Sequence, residues 1–171
     1  MELSTARDLI KQCVPAHTHS WWDLGAGSGL FTRALAGLLT DGTIVAMDRD
    51  VDAMKTIPLH VGKVEIIKQE VDFTKFTFTG DSPSGILMTN SLHFVQDKVP
   101  FLKKLKSHLA TSGVLIIVEY EMTSSNPWVP YPVDFGSLVK LGTDAGFESV
   151  KKMATAPSRF QKDGIYSALL K

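Results

Sequence analysis

The stretch Trp21-Trp22-Asp23-Leu24-Gly25-Ala26-Gly27-Ser28-Gly29 decides how the rest of this chain is read. A short apolar run reaches an acid, three glycines follow at alternate positions, and amphipathic spacing begins at Leu30. That order predicts a strand, a tight turn and the start of a helix. Glycine lets the backbone take positive φ and lets a ligand approach a chain that carries no Cβ. The first turn of a helix leaves N–H groups unpaired and carries partial positive charge, so a small ligand with an anionic part suits this place.

Upstream, Leu3, Ala6, Leu9, Ile10 and Cys13 fall at helical spacing over 2–13, with Ser4 or Thr5 available as a cap and Val14-Pro15 as the stop. His17 and His19 form an H-x-H pair with no third metal ligand near in sequence, and read as polar loop residues near the ligand's edge. A strand is expected over 20–24. Downstream, the pattern predicts a helix over 30–39, a strand over 43–47 ending at Asp48, a helix over 51–57 stopped by Pro58, and a strand over 64–68 with Asp72 close behind. The span 73–80 reads as a short strand or an irregular loop. The runs 85–89 and 114–118 are uniformly apolar, as strands buried on both faces are. Between them a helix is expected over 97–110, with Pro100 tolerated in its first turn. Prolines and aromatics over 126–132 exclude helix or inner strand. Asp134 can cap a helix reaching Ala145, and strands over 147–155 and 165–170 close the chain, with a loop over 156–164. The alternation predicts an α/β fold with a mainly parallel sheet covered on both faces, and an antiparallel pair at one edge.

The bulk numbers bound the function. A chain of 171 residues is expected to be one domain, 1–171, with a real core. Its 44% hydrophobic and 21% charged residues are those of a globular protein. Eighteen basic residues balance eighteen acidic ones, which argues against a nucleic-acid partner held by a broad basic face. Cys13 is the single cysteine, so neither an internal disulfide nor a cysteine metal cluster is expected. No signal-peptide core and no bilayer-spanning run is present, so the expected setting is cytoplasmic, with no membrane partner. Nothing in the composition reads out an oligomeric state.

A dinucleotide fingerprint, G-x-G-x-x-G, would place its third glycine at position 30, which is Leu30. The pattern here is D-x-G-x-G-x-G. It resembles the first motif of the class I S-adenosylmethionine-dependent methyltransferases, in their small-molecule, methyltransferase type 11-like branch. The element order resembles that fold from end to end, a Rossmann-like three-layer sandwich whose seven-stranded, mainly parallel sheet has its last strand antiparallel. The resemblance implies S-adenosyl-L-methionine as cofactor, with Gly25, Ala26, Gly27 and Gly29 wrapping its methionine part and Asp23 orienting the loop near the ligand's ammonium. Asp48 closes the second strand roughly 20 residues past the glycines, where a carboxylate can accept both ribose hydroxyls. The family places an acid such as Asp72 on the adenine amino group and the next backbone N–H, that of Phe73, on a ring nitrogen. Arg49 and Met54 could flank the adenine, and Asn90 joins the cofactor set at the exit of the 85–89 strand.

The implied reaction is methyl transfer to a small-molecule acceptor by in-line displacement, in which alignment and exclusion of water supply most of the acceleration. Where a base is needed, His93 is the candidate, against a role packed beside the cofactor or capping the next helix. Tyr120, between Glu119 and Glu121, is the next. Trp128 and Tyr131 could form an aromatic wall over the acceptor, or a proline-stiffened surface loop. Several acceptor classes lack their motif. The strand exit reads Asn90-Ser91-Leu92-His93 instead of N/D-P-P-Y, Cys13 is far from any Pro-Cys nucleophile position, arsenic enzymes need several cysteines, and catechol-type enzymes carry an acid where Asn90 stands. Two alternatives remain in view: a non-catalytic domain that senses S-adenosylmethionine or serves a partner subunit, and a nicotinamide-dependent Rossmann oxidoreductase, which would want a glycine at 30 and a substrate domain.

Overall fold

The computed structural model describes residues 1–75, 77, 80–158 and 160–171. Positions 76, 78 and 79 of the expected 73–80 segment, and position 159 of the expected 156–164 loop, lie outside the described residues. The elements run α1 (Leu3–Ile10), β1 (Ser20–Leu24), α2 (Leu30–Ala36), β2 (Gly42–Asp48), α3 (Val51–Met54), β3 (His60–Val61), β4 (Val64–Glu70), β5 (Gly85–Thr89), a 3-10 turn at Leu92–Phe94, α4 (Lys98–His108), β6 (Val114–Tyr120), α5 (Phe135–Asp144), β7 (Val150–Ala156) and β8 (Ile165–Leu170). One sheet holds them in the order β3-β4-β2-β1-β5-β6-β8-β7. The β1–β2, β1–β5, β2–β4 and β5–β6 pairs are parallel; β8 is antiparallel to both β6 and β7. The α/β architecture with an antiparallel final strand is therefore as expected. Among the described residues the strand count is eight instead of seven, because His60–Val61 turns back antiparallel onto Val64–Glu65, and two residues carry no periodicity to read.

Adjacent tryptophans on β1 face opposite sides of the sheet, as strand alternation requires. Trp21 joins the core formed with α1 and α2, among Leu9, Ile10, Phe31, Leu35 and Ile116. Trp22 joins the other, with Leu102 and Leu105 of α4, Leu138 of α5 and Tyr166. Trp21 fits because its register partner on β5 is Gly85: a Cβ there would lie 2.3 Å from the indole ring. Its Nε1 donates to Thr18 Oγ1 at 3.2 Å. α1 is tied to β8, the strand next to the far edge, through Ser167, whose hydroxyl donates to Leu9 O at 2.6 Å. The expected Ser4 or Thr5 cap is not used; the N-cap of α1 is Glu2, with no side-chain bond. Asp134 does cap α5, accepting from the Ser137 amide at 2.9 Å. Among the described residues no helix is long and apolar enough to cross a membrane.

Candidate functional site

β1, β2 and β5 end side by side, and the segments that leave them form the site. At the end of β1 the chain turns at once: the Gly25 and Ala26 amides both donate to Met47 O of β2, at 2.8 and 3.1 Å. Gly25, Gly27 and Gly29 have φ of 82°, 51° and 77°, the left-handed region that penalises a Cβ. Their surroundings differ. A Cβ at Gly25 would lie 2.6 Å from Ser91 Cβ, and one at Gly29 2.5 Å from the Ile57 side chain, so these two are needed for packing as well. Around Gly27 there is nothing within 4 Å, so its bare side faces open space.

The Gly27 amide donates to Asp48 Oδ2 at 2.7 Å, and the Asp50 amide to Asp48 Oδ1 at 2.9 Å. The carboxylate is thus fixed at the tip of β2 with acceptor positions to spare, since its two oxygens offer about four. It lines a hollow of about 280 Å³ together with Gly25, Arg49, Asp72, Phe73 and Asn90. Six residues named from the sequence meet in that one space. Asp23, Ala26, Gly27 and Gly29 are not in its lining; Gly27 reaches it through Asp48. Asp72 is held locally, its Oδ1 accepting from the Thr74 amide and hydroxyl at 3.1 and 2.5 Å. Those bonds, with Lys75 beside it, hold its carboxyl below the usual range. The Phe73 ring is buried under the glycine turn, against Phe101.

Asp23 is fully buried at the end of β1. Its Oδ2 accepts from the Thr32 hydroxyl at 2.6 Å, while Oδ1 has no partner among the described residues. Burial, reinforced by the charge of Asp48 and opposed by the Thr32 bond, pushes its carboxyl up to about 7. A buried carboxylate oxygen with no donor is costly unless a ligand supplies one. Asn90 is a second such place. It sits at φ 51° past the end of β5, its amide donates to Val118 O at 2.8 Å, and its buried Oδ1 has no partner among the described residues. Left-handed conformation in a residue other than glycine costs free energy and gathers at functional sites.

Asn90 also lines a second cavity, of about 430 Å³, with Leu30, Phe31, Tyr120, Phe160 and Ile165. Tyr120 and Phe160 line a third, of about 400 Å³, with Met122, Trp128 and Val129. Burial, and then the Glu119 charge, raise the Tyr120 hydroxyl above its ordinary range. His93 is 3% exposed and lines none of these spaces. Its Nδ1 meets Glu119 Oε2 at 2.8 Å and its amide donates to Glu119 Oε1 at 3.2 Å, which binds the 3-10 turn to β6. The structure separates Trp128 from Tyr131: the Tyr131 hydroxyl donates to Gln96 Oε1 at 3.2 Å, in a groove with Phe94 and Phe101. His17 and His19 precede β1, at the end of the sheet opposite the glycine turn, and not near the ligand's edge; the Thr43 amide donates to His19 O. His19 Nδ1 pairs with Asp41 at 2.5 Å.

A parallel sheet with a bare glycine turn after β1, an acid fixed at the tip of β2 and two buried acceptors nearby that lack donors among the described residues defines an α/β protein of the Rossmann-like class with an open hollow at its strand ends. The chain belongs to the methyltransferase domain family, whose sequence model matches residues 22–115. No curated protein matches it. Solved structures share the fold at low identity. Human N-acetylserotonin methyltransferase, solved in complex with S-adenosylmethionine, is 16% identical with a TM-score of 0.72, covering 98% of this chain and 51% of its own. A Leishmania major S-adenosylmethionine-dependent methyltransferase is 16% identical with a TM-score of 0.75, covering 99% and 71%. One from Methanosarcina mazei is 16% identical with a TM-score of 0.66, covering 94% of both chains. The chain spans about half the length of the human protein.

Proposed function

We propose that this chain binds S-adenosylmethionine in the hollow at the tips of β1, β2 and β5 and transfers its methyl group to a small-molecule acceptor. The observation that carries the reading is the Gly27–Asp48 bond, which joins the bare turn to the carboxylate of the next strand at one open space. Asp23 Oδ1 is the acceptor that suits the ligand's ammonium, Asp48 keeps acceptor positions for ribose hydroxyls, and Asp72 with Phe73 stands at the far side for the adenine. Bound there, the cofactor would supply an electrophilic methyl on a sulfonium sulfur to a lone pair of the acceptor. The chain's part is to hold, align and exclude water. His93, locked to Glu119, supports the wall of the site from behind the 3-10 turn, and Tyr120 faces the acceptor side. We take residues 1–171 as one such domain acting in a reducing cytoplasm; the single thiol, Cys13, is buried and pushed up to about 11, which leaves it unreactive.

Thermal unfolding tests the reading. S-adenosylhomocysteine should raise the melting temperature and NAD should not, since a ligand bound only by the folded state stabilises it by mass action. Asp48→Ala should abolish the shift. A shift with NAD alone would favour an oxidoreductase, and a shift retained in Asp48→Ala would remove that carboxylate from the site. Methyl transfer across a panel of acceptors then separates an enzyme from a sensor.

A further inference from the structure

We infer that the acceptor is a flat, uncharged aromatic molecule carrying a hydroxyl or amino group, and that it enters between Trp128 and Phe160. This rests on the methyl-transfer reading above and names the acceptor's chemistry. Three spaces follow one another from the cofactor hollow to the surface. Asn90 lines both the hollow and the 430 Å³ cavity, and Tyr120 and Phe160 line both that cavity and the outer one of about 400 Å³. A volume of this order suits a small organic molecule.

The outer space selects by chemistry. Among the described residues that line it, Tyr120, Met122, Trp128, Val129 and Phe160 are apolar or aromatic, Asn126 and Gln161 are neutral amides, and none is charged. An ionic acceptor would leave water there without a counter-charge, at a large cost, and an anion would also meet the Glu2 carboxylate that lines the cavity behind it. Trp128 is 81% exposed and Phe160 84% exposed, two large rings at the mouth of one cavity and on separate loops. Exposed aromatics over an apolar cavity are a binding feature in a way that single scattered ones are not. The indole is carried on a firm support. Asn126 and Val129 exchange both backbone hydrogen bonds, and Asn126 Oδ1 accepts from the Trp128 and Val129 amides at 2.8 and 2.9 Å. At the inner end, Asn90 Oδ1 is buried without a donor. An O–H or N–H on the edge of a flat ring satisfies it and brings that group to the boundary with the cofactor hollow.

The test uses 2-naphthol as the probe and the protein saturated with S-adenosylhomocysteine, titrated by calorimetry. Binding of 2-naphthol is expected, with 2-naphthoate, the charged analogue, at least about tenfold weaker. Trp128→Ala and Phe160→Ala should each weaken 2-naphthol by about tenfold, the value of one aromatic contact. Both side chains are exposed, so the variants should fold and keep S-adenosylhomocysteine affinity within about twofold. The inference is overturned if the loaded protein does not bind 2-naphthol, if neither variant changes that binding, or if naphthoate binds as well. It also falls if sedimentation shows a dimer that Trp128→Ala dissociates while 2-naphthol binding stays, which would make the two rings a contact between copies. Failure to bind S-adenosylhomocysteine, measured by itself, would instead take down the methyl-transfer reading and this inference with it.

Discussion

Three glycines in one turn need not do the same work, and the surroundings of each say what a methyl group would cost. All three stand at positive φ, where a side chain costs roughly 1–2 kcal/mol. At Gly25 the added Cβ also collides with Ser91, whose hydroxyl donates to Leu24 O at 2.7 Å and cannot simply swing away. At Gly27 it meets nothing. Gly25→Ala is therefore expected to lose more stability than Gly27→Ala, by about 1–3 kcal/mol of overpacking, in urea unfolding of the free protein. In calorimetry with S-adenosylhomocysteine, Gly27→Ala should still lose affinity, because its methyl stands in the open space beside the amide that holds Asp48. Equal stabilities for the two variants would refute this division. Asp23 gives a second prediction. Its folded carboxyl is raised to about 7 from 3.8, chiefly by burial, so folding favours the protonated form. Its contribution to stability is full below the ordinary carboxylate range and is lost as pH rises through 7. A ligand ammonium favours the ionised form, so binding S-adenosylhomocysteine at pH 7 should release a fraction of a proton, read from calorimetry in buffers of different ionisation heat. Asp23→Asn should bind more weakly and release none; the same release from Asp23→Asn would assign the proton elsewhere.

At the scale of elements, the pairing of His93 with Glu119 fastens the 3-10 turn after β5 to the end of β6, two strands that are already neighbours. Both groups are almost fully buried, at 3% and 1% exposed. Such a clamp positions the wall of the site without touching a ligand. His93→Gln is expected to cost about 1.5–3 kcal/mol of stability, the range for a hydrogen bond to a charged group. Residual turnover should keep the wild-type pH profile. If stability holds and the acid limb of that profile vanishes, His93 is the base. Three strands that are almost wholly buried, 20–24, 85–89 and 165–170, read as they stand. Helices came out shorter than their apolar spacing. Leu38 and Ile57 keep helical periodicity, yet their amides bond back three residues, to Leu35 O and Met54 O, in turns that follow α2 and α3. Burial of an apolar side chain sets the spacing, and a turn satisfies it as well as a helix does. β6 ran two residues further than expected, to Tyr120, because buried Glu119 is paid for by His93 and can sit in a strand.

For the whole molecule, the cofactor side was legible because one turn and the next strand end lie close in sequence, whereas the acceptor side is assembled from α2, β6, the 122–129 loop and the loop between β7 and β8. No spacing rule links Phe31 to Phe160, which lies in a span, 156–164, that reads only as a loop. The same long-range assembly bears on how the chain unfolds. The sheet separates two cores, and Trp21 and Trp22, adjacent in sequence, report one each. β1 sits centrally, with β2 and β5 on its two sides, so neither core can open without parting strands that the other rests on. Urea unfolding should therefore be one transition for both faces. Trp128 is exposed and should change little, and it can be removed as Trp128→Phe. In that background, Trp21→Phe leaves Trp22 as reporter and Trp22→Phe leaves Trp21. Within each variant, fluorescence and far-UV circular dichroism should give the same midpoint and slope, as two-state unfolding requires. Saturating S-adenosylhomocysteine at 100 times its Kd should add about 2.7 kcal/mol in both variants with unchanged slope. If fluorescence precedes circular dichroism in one variant only, that face opens alone, and if the ligand protects one reporter and not the other, the two cores are separate cooperative units that share a sheet.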